Sequence, residues 1–304
     1  MAAIETYNLT KSFDRSSLAV EDLSIRVEHG EIYGLLGRNG AGKSTVMGML
    51  LGLLRPSSGT YEVLGAQGAR DSSTTGVGAL IEAPAFYPFL TGRKNLQVLA
   101  TYAGIPSTSI DSALDSVGLL SSANRRYRQY SLGMKQRLGI AAALLGSPQL
   151  IILDEPTNGL DPQAIADVRQ IMLDLRDQGR TILVSSHILA EVEQVVDRVA
   201  IIANGKLIRE DTIKGLRGPE TASSTLSIRT TDADLAVSAA TGLPGVMSVT
   251  RTATDRLVIE VAPSALPGVN MGLVAAGVQV IEQSVVEPTL ESVFLRLTAE
   301  TAGA

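Results

Sequence analysis

The residues with the clearest chemical signal are GRNGAGKST, numbers 37–45. They fit the pattern of Gly, four residues, Gly, Lys and Ser or Thr, which binds phosphate when it follows a strand and opens a helix. The glycines let the backbone curl, so that N–H groups face phosphate oxygens at a helix N-terminus. The residues expected to line this loop are Asn39, Gly40, Ala41, Gly42, Lys43, Ser44 and Thr45. Lys43 is expected to reach the β- and γ-phosphates and Ser44 to bind Mg²⁺. The alternative is a glycine-rich turn capped by Ser44.

A second signal is a pair of adjacent carboxylates in IILDEPTNGLDP, residues 151–162. The apolar run predicts a buried strand, and open α/β sheets bind ligands at the carboxyl ends of their strands. Because successive strand residues face opposite ways, Asp154 and Glu155 can take different roles. We expect Asp154 to support Mg²⁺ and Glu155 to polarise an attacking water. Asp161 before Pro162 is a good helix start, and the pattern leaves capping and function equally open for it.

The elements around these motifs predict an α/β architecture. Alternating patterns from residue 3 to residue 32 predict antiparallel strands, and YGLLG and STVMGMLLGLL predict a strand and a buried helix on either side of the loop. Residues 83–147 predict a helical subdomain, which includes YSLGMKQR (130–137), a helix start capped by Ser131. Beyond residue 148, strands alternate with helices, among them the strand TILVSS and the helix ILAEVEQVVDR. This alternation indicates a largely parallel sheet.

A change of composition marks the end of this region. Residues 215–224, GLRGPETASS, are mostly small and polar and read as a linker. We therefore predict one domain over residues 1–217 and a second over residues 218–304. The second domain has the order strand, helix, strand, strand, helix, strand and a final helix TLESVFLRLT, which predicts a small α+β, ferredoxin-like unit.

The composition limits the classes of function. The chain has 304 residues, 26 Lys and Arg, 31 Asp and Glu, seven Tyr, four Phe and no Trp. A net charge of -5 and few aromatic residues argue against nucleic acid as a partner. The absence of Cys and the presence of two His disfavour disulfides and a zinc site. We see no secretory signal and no apolar run near the roughly 18 residues that span a bilayer, so we expect a cytoplasmic protein.

The phosphate loop, YSLGMKQR, LDEPTNGLDP and SSH occur in an order that resembles the nucleotide-binding subunit of an ABC transporter over about residues 1–215. The resemblance implies the fold of a P-loop NTPase with an antiparallel β subdomain and a helical subdomain. It also implies ATP and Mg²⁺ as ligands. In that family the nucleotide lies between two protomers, here a homodimer, and hydrolysis drives a separate membrane permease that holds the subunit at the inner face of the membrane.

The resemblance also implies further site residues. Ser131 and Gly133 would contact the γ-phosphate across the dimer, although Leu132 and Met134 depart from the usual Ser-Gly-Gly-Gln core. His187 would hydrogen-bond the γ-phosphate and help to hold the attacking water. The remaining two implied residues are Phe13, at the place of the adenine-stacking aromatic, and Glu82, where the family generally has a Gln that senses Mg²⁺.

Glu82, YSLGMKQR and the closing PTLESVFLRLT are together similar to the ATPase subunits of exporters of the bacitracin-resistance and lantibiotic-immunity type. This resemblance implies efflux or self-protection, and the segment from Pro84 to Asn95 is the expected contact with the permease. The alternative is that the apolar and aromatic residues of this segment belong to the core of the helical subdomain. The competing function is a soluble ABC ATPase in translation or DNA maintenance. Against it stand a single cassette and an acidic C-terminal part, in which residues 220–304 carry nine acidic residues against four Arg.

Overall fold

The computed structural model describes residues 2–14, 17–68, 76–81, 85–217 and 224–286. The chain divides into two compact units, the first ending at Ile213 and the second beginning at Lys214. The boundary expected after residue 217 falls at the end of a short helix, Ile213–Arg217, that begins at this division. The domain limits taken from the sequence stay a prediction.

The first unit contains both strands and helices. Its described strands are β1 (Ile4–Ser12), β2 (Leu18–Leu23), β3 (Arg26–Val27), β4 (Ile32–Leu36), β5 (Ser58–Val63), β6 (Ala66–Gln67), β7 (Val77–Leu80), β8 (Leu150–Leu153), β9 (Thr181–Ser186), β10 (Arg198–Ala203) and β11 (Lys206–Thr212). Its described α-helices are α1 (Lys43–Leu50), α2 (Gly92–Tyr102), α3 (Ser109–Ser116), α4 (Leu132–Leu144), α5 (Pro162–Asp177) and α6 (Leu189–Val192). The next helix, α7 (Ile213–Arg217), begins at the last residue before the division and continues into the second unit.

Six strands form the central sheet in the order β11-β10-β4-β9-β8-β7. The neighbours run parallel except for β10 and β11, which form an antiparallel hairpin. Every residue of β4, β8 and β9 is buried. Strands covered on both faces are typical of parallel sheets. The predicted parallel sheet is therefore confirmed.

The N-terminal strands form a second sheet in the order β2-β1-β5-β6, with β3 also paired to β1. Its pairs are antiparallel, as the alternating sequence pattern predicts. Strand β2 is tied to the loop that precedes α1. The N–H of Glu21 donates to the carbonyl of Gly205 (2.8 Å), and the N–H of Gly205 donates to the carbonyl of Ala41 (3.2 Å). The N-terminal sheet is therefore hydrogen-bonded to the loop before α1 through Gly205, which lies in the turn between β10 and β11.

The described residues from Gly92 to Leu144 are largely helical, as expected, and comprise α2, α3 and α4. The helix expected over ILAEVEQVVDR is shorter in the structure, where α6 ends at Val192. The N–H groups of Val195 and Val196 both donate hydrogen bonds to the carbonyl of Val192, at 2.9 and 3.1 Å. The chain then joins β4, because the N–H of Asp197 donates to the carbonyl of Ile32 (2.9 Å). Pairing with the central sheet ends the helix early.

The second unit has the order β12 (Ser224–Thr230), α8 (Ala233–Thr241), β13 (Val246–Arg251), β14 (Arg256–Val261), α9 (Leu266–Ala275) and β15 (Val280–Val286). Its antiparallel sheet has the order β13-β14-β12-β15. The first and third strands therefore lie in the middle, and the second and fourth lie at the edges. This is the arrangement of the predicted ferredoxin-like unit. Its core contains Leu226, Ile228, Ile259 and Leu273. The predicted final helix TLESVFLRLT lies outside the described residues.

Within the ranges given above, every helix is too short or too polar to cross a lipid bilayer.

Asp161→Ala should destabilise α5. Asp161 is the N-cap of this helix, its carboxylate accepts the N–H of Ala164 at 2.8 Å, and Pro162 occupies the first helical position. The capping role that the sequence left open is therefore confirmed. Loss of an N-cap costs about 1 kcal/mol, which a lower midpoint of urea unfolding would report. Asp161→Asn keeps a capping oxygen and should unfold like the wild type. Equal losses in both variants would contradict the capping role.

Candidate active site

The predicted site residues follow three strands that are neighbours in the central sheet. Leu35 and Leu36 of β4 pair with Ser185 and Ser186 of β9, and Val184 pairs with Leu153 of β8. The carboxyl ends of these parallel strands lie at one edge of the sheet. The phosphate-binding loop, the carboxylates and the histidine are thereby brought side by side, where open α/β sheets bind ligands.

The loop of residues 37–42 curls because its glycines adopt backbone conformations that other residues rarely take. Gly40 has a φ of +82° and Gly42 a φ of +105°. A Cβ on Gly42 would lie 2.4 Å from the carbonyl oxygen of Ala19, whereas a Cβ on Gly40 would meet nothing within 4 Å. One side of the loop is thus packed against β2, and the side at Gly40, with the neighbouring Asn39, is exposed. The exposed side is the one that a phosphate can approach.

The first turn of α1 lies directly after this loop. Gly42 is its N-cap, so Ser44 is not the cap, and the alternative of a Ser44-capped turn does not fit. Among the hydrogen bonds of the described residues, none is donated by the N–H groups of Lys43, Ser44 and Thr45. Free N–H groups at the positive end of a helix dipole attract anions. The start of α1 can therefore bind phosphate oxygens.

The ammonium group of Lys43 lies inside the curl of the loop. It is buried, with 5% of the side chain exposed, and Nζ donates to the carbonyls of Gly37 (2.8 Å) and Arg38 (3.3 Å). It also lies 3.1 Å from Oε1 of Glu155. These three oxygen partners compensate the buried charge. An incoming phosphate can take the place of one of them.

The carboxylate of Glu155 lies between Lys43 and His187. Its Oε1 is the partner of Lys43, and its Oε2 forms a hydrogen bond with Nδ1 of His187. Glu155 has a φ of +48°, in the left-handed region, so the chain turns sharply at the end of β8. A cation, a carboxylate and an imidazole are in direct contact, which is a suitable set for orienting a water molecule beside a phosphate.

Asp154 is buried next to this group. Its Oδ1 accepts a hydrogen bond from Oγ of Ser185 at 2.5 Å, and its N–H donates to the carbonyl of Leu80 at the end of β7 (2.8 Å). The carboxylate groups of Asp154 and Glu155 have different partners, because Asp154 bonds Ser185 whereas Glu155 contacts Lys43 and His187. Glu82, which was expected to sense the metal, lies outside the described residues.

Ser131 is the N-cap of α4, as predicted, and its hydroxyl accepts the N–H of Met134 (3.3 Å). Gly133 lies against α5, where a Cβ would approach the Cβ of Ala164 to 2.8 Å. The preceding Tyr130 is buried, and its hydroxyl donates to the carbonyl of Ser122 (2.8 Å). Burial raises the pKa of this phenol, which keeps the hydroxyl neutral. None of the described hydrogen bonds connects Ser131 or Gly133 with the phosphate-binding loop.

Phe13 follows the last residue of β1 and exposes 63% of its surface. The ammonium of Lys11 lies 5.2 Å from the centre of its ring. An exposed ring of this kind can stack on a planar base. The structure does not bring Phe13 into contact with the other candidate residues among the contacts described.

One residue of the site was missed by the sequence reasoning. Ser185 interacts with both acidic residues, because its hydroxyl also accepts the N–H of Glu155 at 2.9 Å. Its signal in the sequence was weak. A hydroxyl at the end of the apolar strand TILVSS is unusual, but only the pairing of β8 with β9 identifies its partners.

Comparison with known proteins agrees with this geometry. The family described as ABC transporter matches residues 20–158. The chain is 48% identical to the bacitracin transport ATP-binding protein BcrA of Bacillus licheniformis over 211 residues, 68% of this chain and 69% of the relative. It is 36% identical to the uncharacterized ABC transporter ATP-binding protein YhcH of Bacillus subtilis over 302 residues, 98% of this chain and 96% of the relative.

Among solved structures, the ATP-binding cassette MJ0796, a dimer in a post-hydrolysis state bound to ADP and Pi, has a TM-score of 0.62 at 24% identity. The match covers 69% of this chain and 98% of that chain, and it shows the same fold. Fold, motifs and relatives agree, and the resemblance seen in the sequence is confirmed. The chain belongs to the ATP-binding subunits of ABC transporters, enzymes that hydrolyse ATP to drive transport.

Proposed function

We propose that this chain is the ATPase subunit of an exporter for antibiotic peptides, and that it drives a separate membrane permease. The contact of Glu155 with both Lys43 and His187 is the observation that carries the ATPase site. The class of substrate rests on the similarity to BcrA, whose name describes a bacitracin transport protein. The subunit works at the cytoplasmic face of the membrane, where the permease holds it.

In this proposal the loop binds the phosphates of ATP. The free N–H groups of Lys43, Ser44 and Thr45 bind phosphate oxygens, together with the N–H groups of the loop from Asn39 to Gly42. Lys43 exchanges its contact with Glu155 for the γ-phosphate. Glu155 then orients the attacking water, and His187 holds Glu155 and the γ-phosphate in place. Phe13 stacks on the adenine.

Ser44 and Asp154 would hold Mg²⁺. The ion neutralises charge on the phosphates when it is bound. Mg²⁺ usually binds to one or two carboxylates, to phosphates and to water, and not to a cage of protein ligands. The two residues fit this preference, since Asp154 offers one carboxylate and Ser44 one exposed hydroxyl in the first turn of α1. Glu82 is proposed as a further metal-sensing residue, from its position in the sequence.

A second copy of the chain completes each site. Each chain has one phosphate-binding loop and one α4 start, and Ser131 and Gly133 of one copy would bind the γ-phosphate held by the other. The N-terminus of α4 suits this role, because its dipole attracts anions. The packing of Gly133 on Ala164 fixes this end of α4 against α5. The cassette MJ0796, which has the same fold, is described as a dimer bound to ADP and Pi, and a dimer is what this proposal requires.

The surface for the permease lies in the loop before α2. Phe86 packs its ring edge-on against Tyr127, with centroids 5.3 Å apart. In contrast, Tyr87 and Phe89 expose 48% and 66% of their surfaces. The buried Asn95 fixes this loop, since its side chain bonds both the N–H (2.8 Å) and the carbonyl (3.2 Å) of Tyr87. Two aromatic rings are therefore displayed on a fixed loop, where a short apolar helix of the permease can bind.

Lys43→Ala should reduce ATP turnover by about 100-fold or more, because preorganised charges that face the transferred phosphate contribute this much to catalysis. Binding of ATP should also weaken. Turnover of the purified chain and binding of a fluorescent ATP analogue measure the two effects. Lys94→Ala, which removes an exposed ammonium from α2, is the matched control and should behave like the wild type. Full turnover in Lys43→Ala would refute the assigned phosphate contact.

Glu155→Gln should slow hydrolysis by about 100-fold or more while binding of ATP is retained, because the amide cannot act as a base. Two copies should then stay joined by bound ATP. Size-exclusion chromatography with ATP and Mg²⁺ should give a dimer for this variant, and Glu260→Gln, an exposed residue of β14, should elute like the wild type. Normal turnover in Glu155→Gln would mean that another group activates the water.

Phe89→Ser should release the permease and leave ATP binding unchanged, because the ring is exposed and makes no part of the nucleotide site. The measurement is copurification of a membrane-spanning protein with the chain from detergent-solubilised membranes. Tyr102→Ser removes another exposed ring, on α2, and should retain the partner. If wild-type chain brings down ribosomes or DNA and no membrane protein, the proposed partner is wrong.

A further inference from the structure

Ser185 lies at the end of β9 and is completely buried. On one side, it is paired with Leu35 of β4, the strand that leads to the phosphate-binding loop. On the other side, the preceding residue Val184 is paired with Leu153, the last residue of β8. Ser185 therefore faces the point where β8 ends and the two acidic residues begin.

The single hydroxyl of Ser185 forms two hydrogen bonds whose directions are fixed by chemistry. The backbone N–H of Glu155 can only donate, so Oγ accepts this bond (2.9 Å). An ionised carboxylate can only accept, so the hydroxyl proton points to Oδ1 of Asp154 (2.5 Å). Donor and acceptor functions of the hydroxyl are both used. A side chain that cannot both donate and accept a hydrogen bond therefore cannot replace Ser185.

The bond to Glu155 fixes an unusual backbone conformation. With a φ of +48°, Glu155 lies in the left-handed region, which costs free energy for a residue other than Gly. On the other side of the same residue, the carbonyl of Glu155 accepts the N–H of Asn158 (3.1 Å). This turn directs the side chain towards Lys43 and His187. The hydrogen bond from Glu155 to Ser185 therefore helps to set where the carboxylate is held.

We propose that Ser185 is a positioning residue for ATP hydrolysis. Its hydroxyl holds the carboxylate of Asp154 in the orientation that serves Mg²⁺ and the backbone of Glu155 in the conformation that serves the attacking water. This inference rests on the proposed roles of Asp154 and Glu155. Ser185 itself contacts neither the nucleotide nor the metal in this proposal.

Ser185→Ala tests the inference. Loss of a residue that orients a metal ligand typically reduces activity or metal affinity by about 10- to 100-fold, and we expect kcat to fall within this range. The KM for ATP should change little, because the loop and Lys43 are untouched. The Mg²⁺ concentration that half-saturates binding of a fluorescent ATP analogue should rise, whereas binding of the analogue in EDTA should match the wild type.

Thr181→Val is the matched control. Thr181 is another buried residue of β9, and its hydroxyl accepts the N–H of Gly30 (3.0 Å) at the opposite end of the strand. The Thr181→Val variant measures the general effect of removing a buried hydroxyl from this strand. It should leave both kcat and the Mg²⁺ requirement unchanged. Ser185→Thr keeps the hydroxyl and should restore both quantities. A small cavity of about 10 Å³, which Thr157 and Val184 also line, lies beside Ser185 and leaves some space for the added methyl group.

Three results would overturn the inference. In the first, Ser185→Ala has the kcat and the Mg²⁺ requirement of the wild type. In the second, Ser185→Ala and Thr181→Val lose activity together, which would indicate a general loss of folding. In the third, Ser185→Thr fails to restore activity although it is folded. If Ser185→Ala does not fold, Ser185→Cys gives the same measurement, since its thiol keeps the shape but forms only weak hydrogen bonds.

Failure of the roles proposed for Asp154 and Glu155 gives a different result. Asp154→Asn and Glu155→Gln would then retain normal turnover, whatever the behaviour of Ser185→Ala. If these two variants lose turnover and Ser185→Ala does not, the roles proposed for Asp154 and Glu155 stand and only the role of Ser185 is wrong.

Discussion

The pairing of β4, β9 and β8 is the constraint on which the active site depends. These strands run parallel and in fixed register, so the loop, the histidine and the two carboxylates emerge at the same edge. A shift of one residue in the register of β9 would turn the hydroxyl of Ser185 to the opposite face of the sheet. Every residue of these three strands is buried, so the close packing of each side chain in the core resists such a shift. The core of the first unit therefore determines the geometry of its chemistry.

The charges at this edge compensate one another within the protein. A buried ammonium is costly unless it is paired and hydrogen-bonded, and Lys43 has two carbonyls and the carboxylate of Glu155 as partners. Glu155 in turn has Lys43 and His187. A phosphate that binds to Lys43 therefore competes with an internal carboxylate. In the proposed exchange, the contact of Lys43 with the phosphate replaces its contact with Glu155, so the arrival of the phosphate releases the carboxylate.

Much of this arrangement could be predicted from the sequence. The glycine and lysine spacing of the loop, the cap at Ser131 and the order of strands and helices along the second unit are local patterns, and the structure bears them out. For Asp161, the sequence left capping and function open, and the structure shows the cap. The early end of α6 and the role of Ser185 were not predictable in this way. Both depend on pairing between segments that are distant in the chain. The left-handed conformation of Glu155 also has no local signal, since the residue is neither Gly nor Asn.

The bond between Gly205 and Ala41 has a consequence for the size of the ligand. It fastens the phosphate-binding loop to the turn between β10 and β11, which in turn holds β2 through Glu21. Strand β2 pairs with β1, the strand that ends just before Phe13. The ring of Phe13 and the phosphate-binding loop are thus connected through a continuous series of main-chain hydrogen bonds. When a nucleotide contacts both Phe13 and the loop, as proposed, the distance between its base and its phosphates must match the spacing that these hydrogen bonds set.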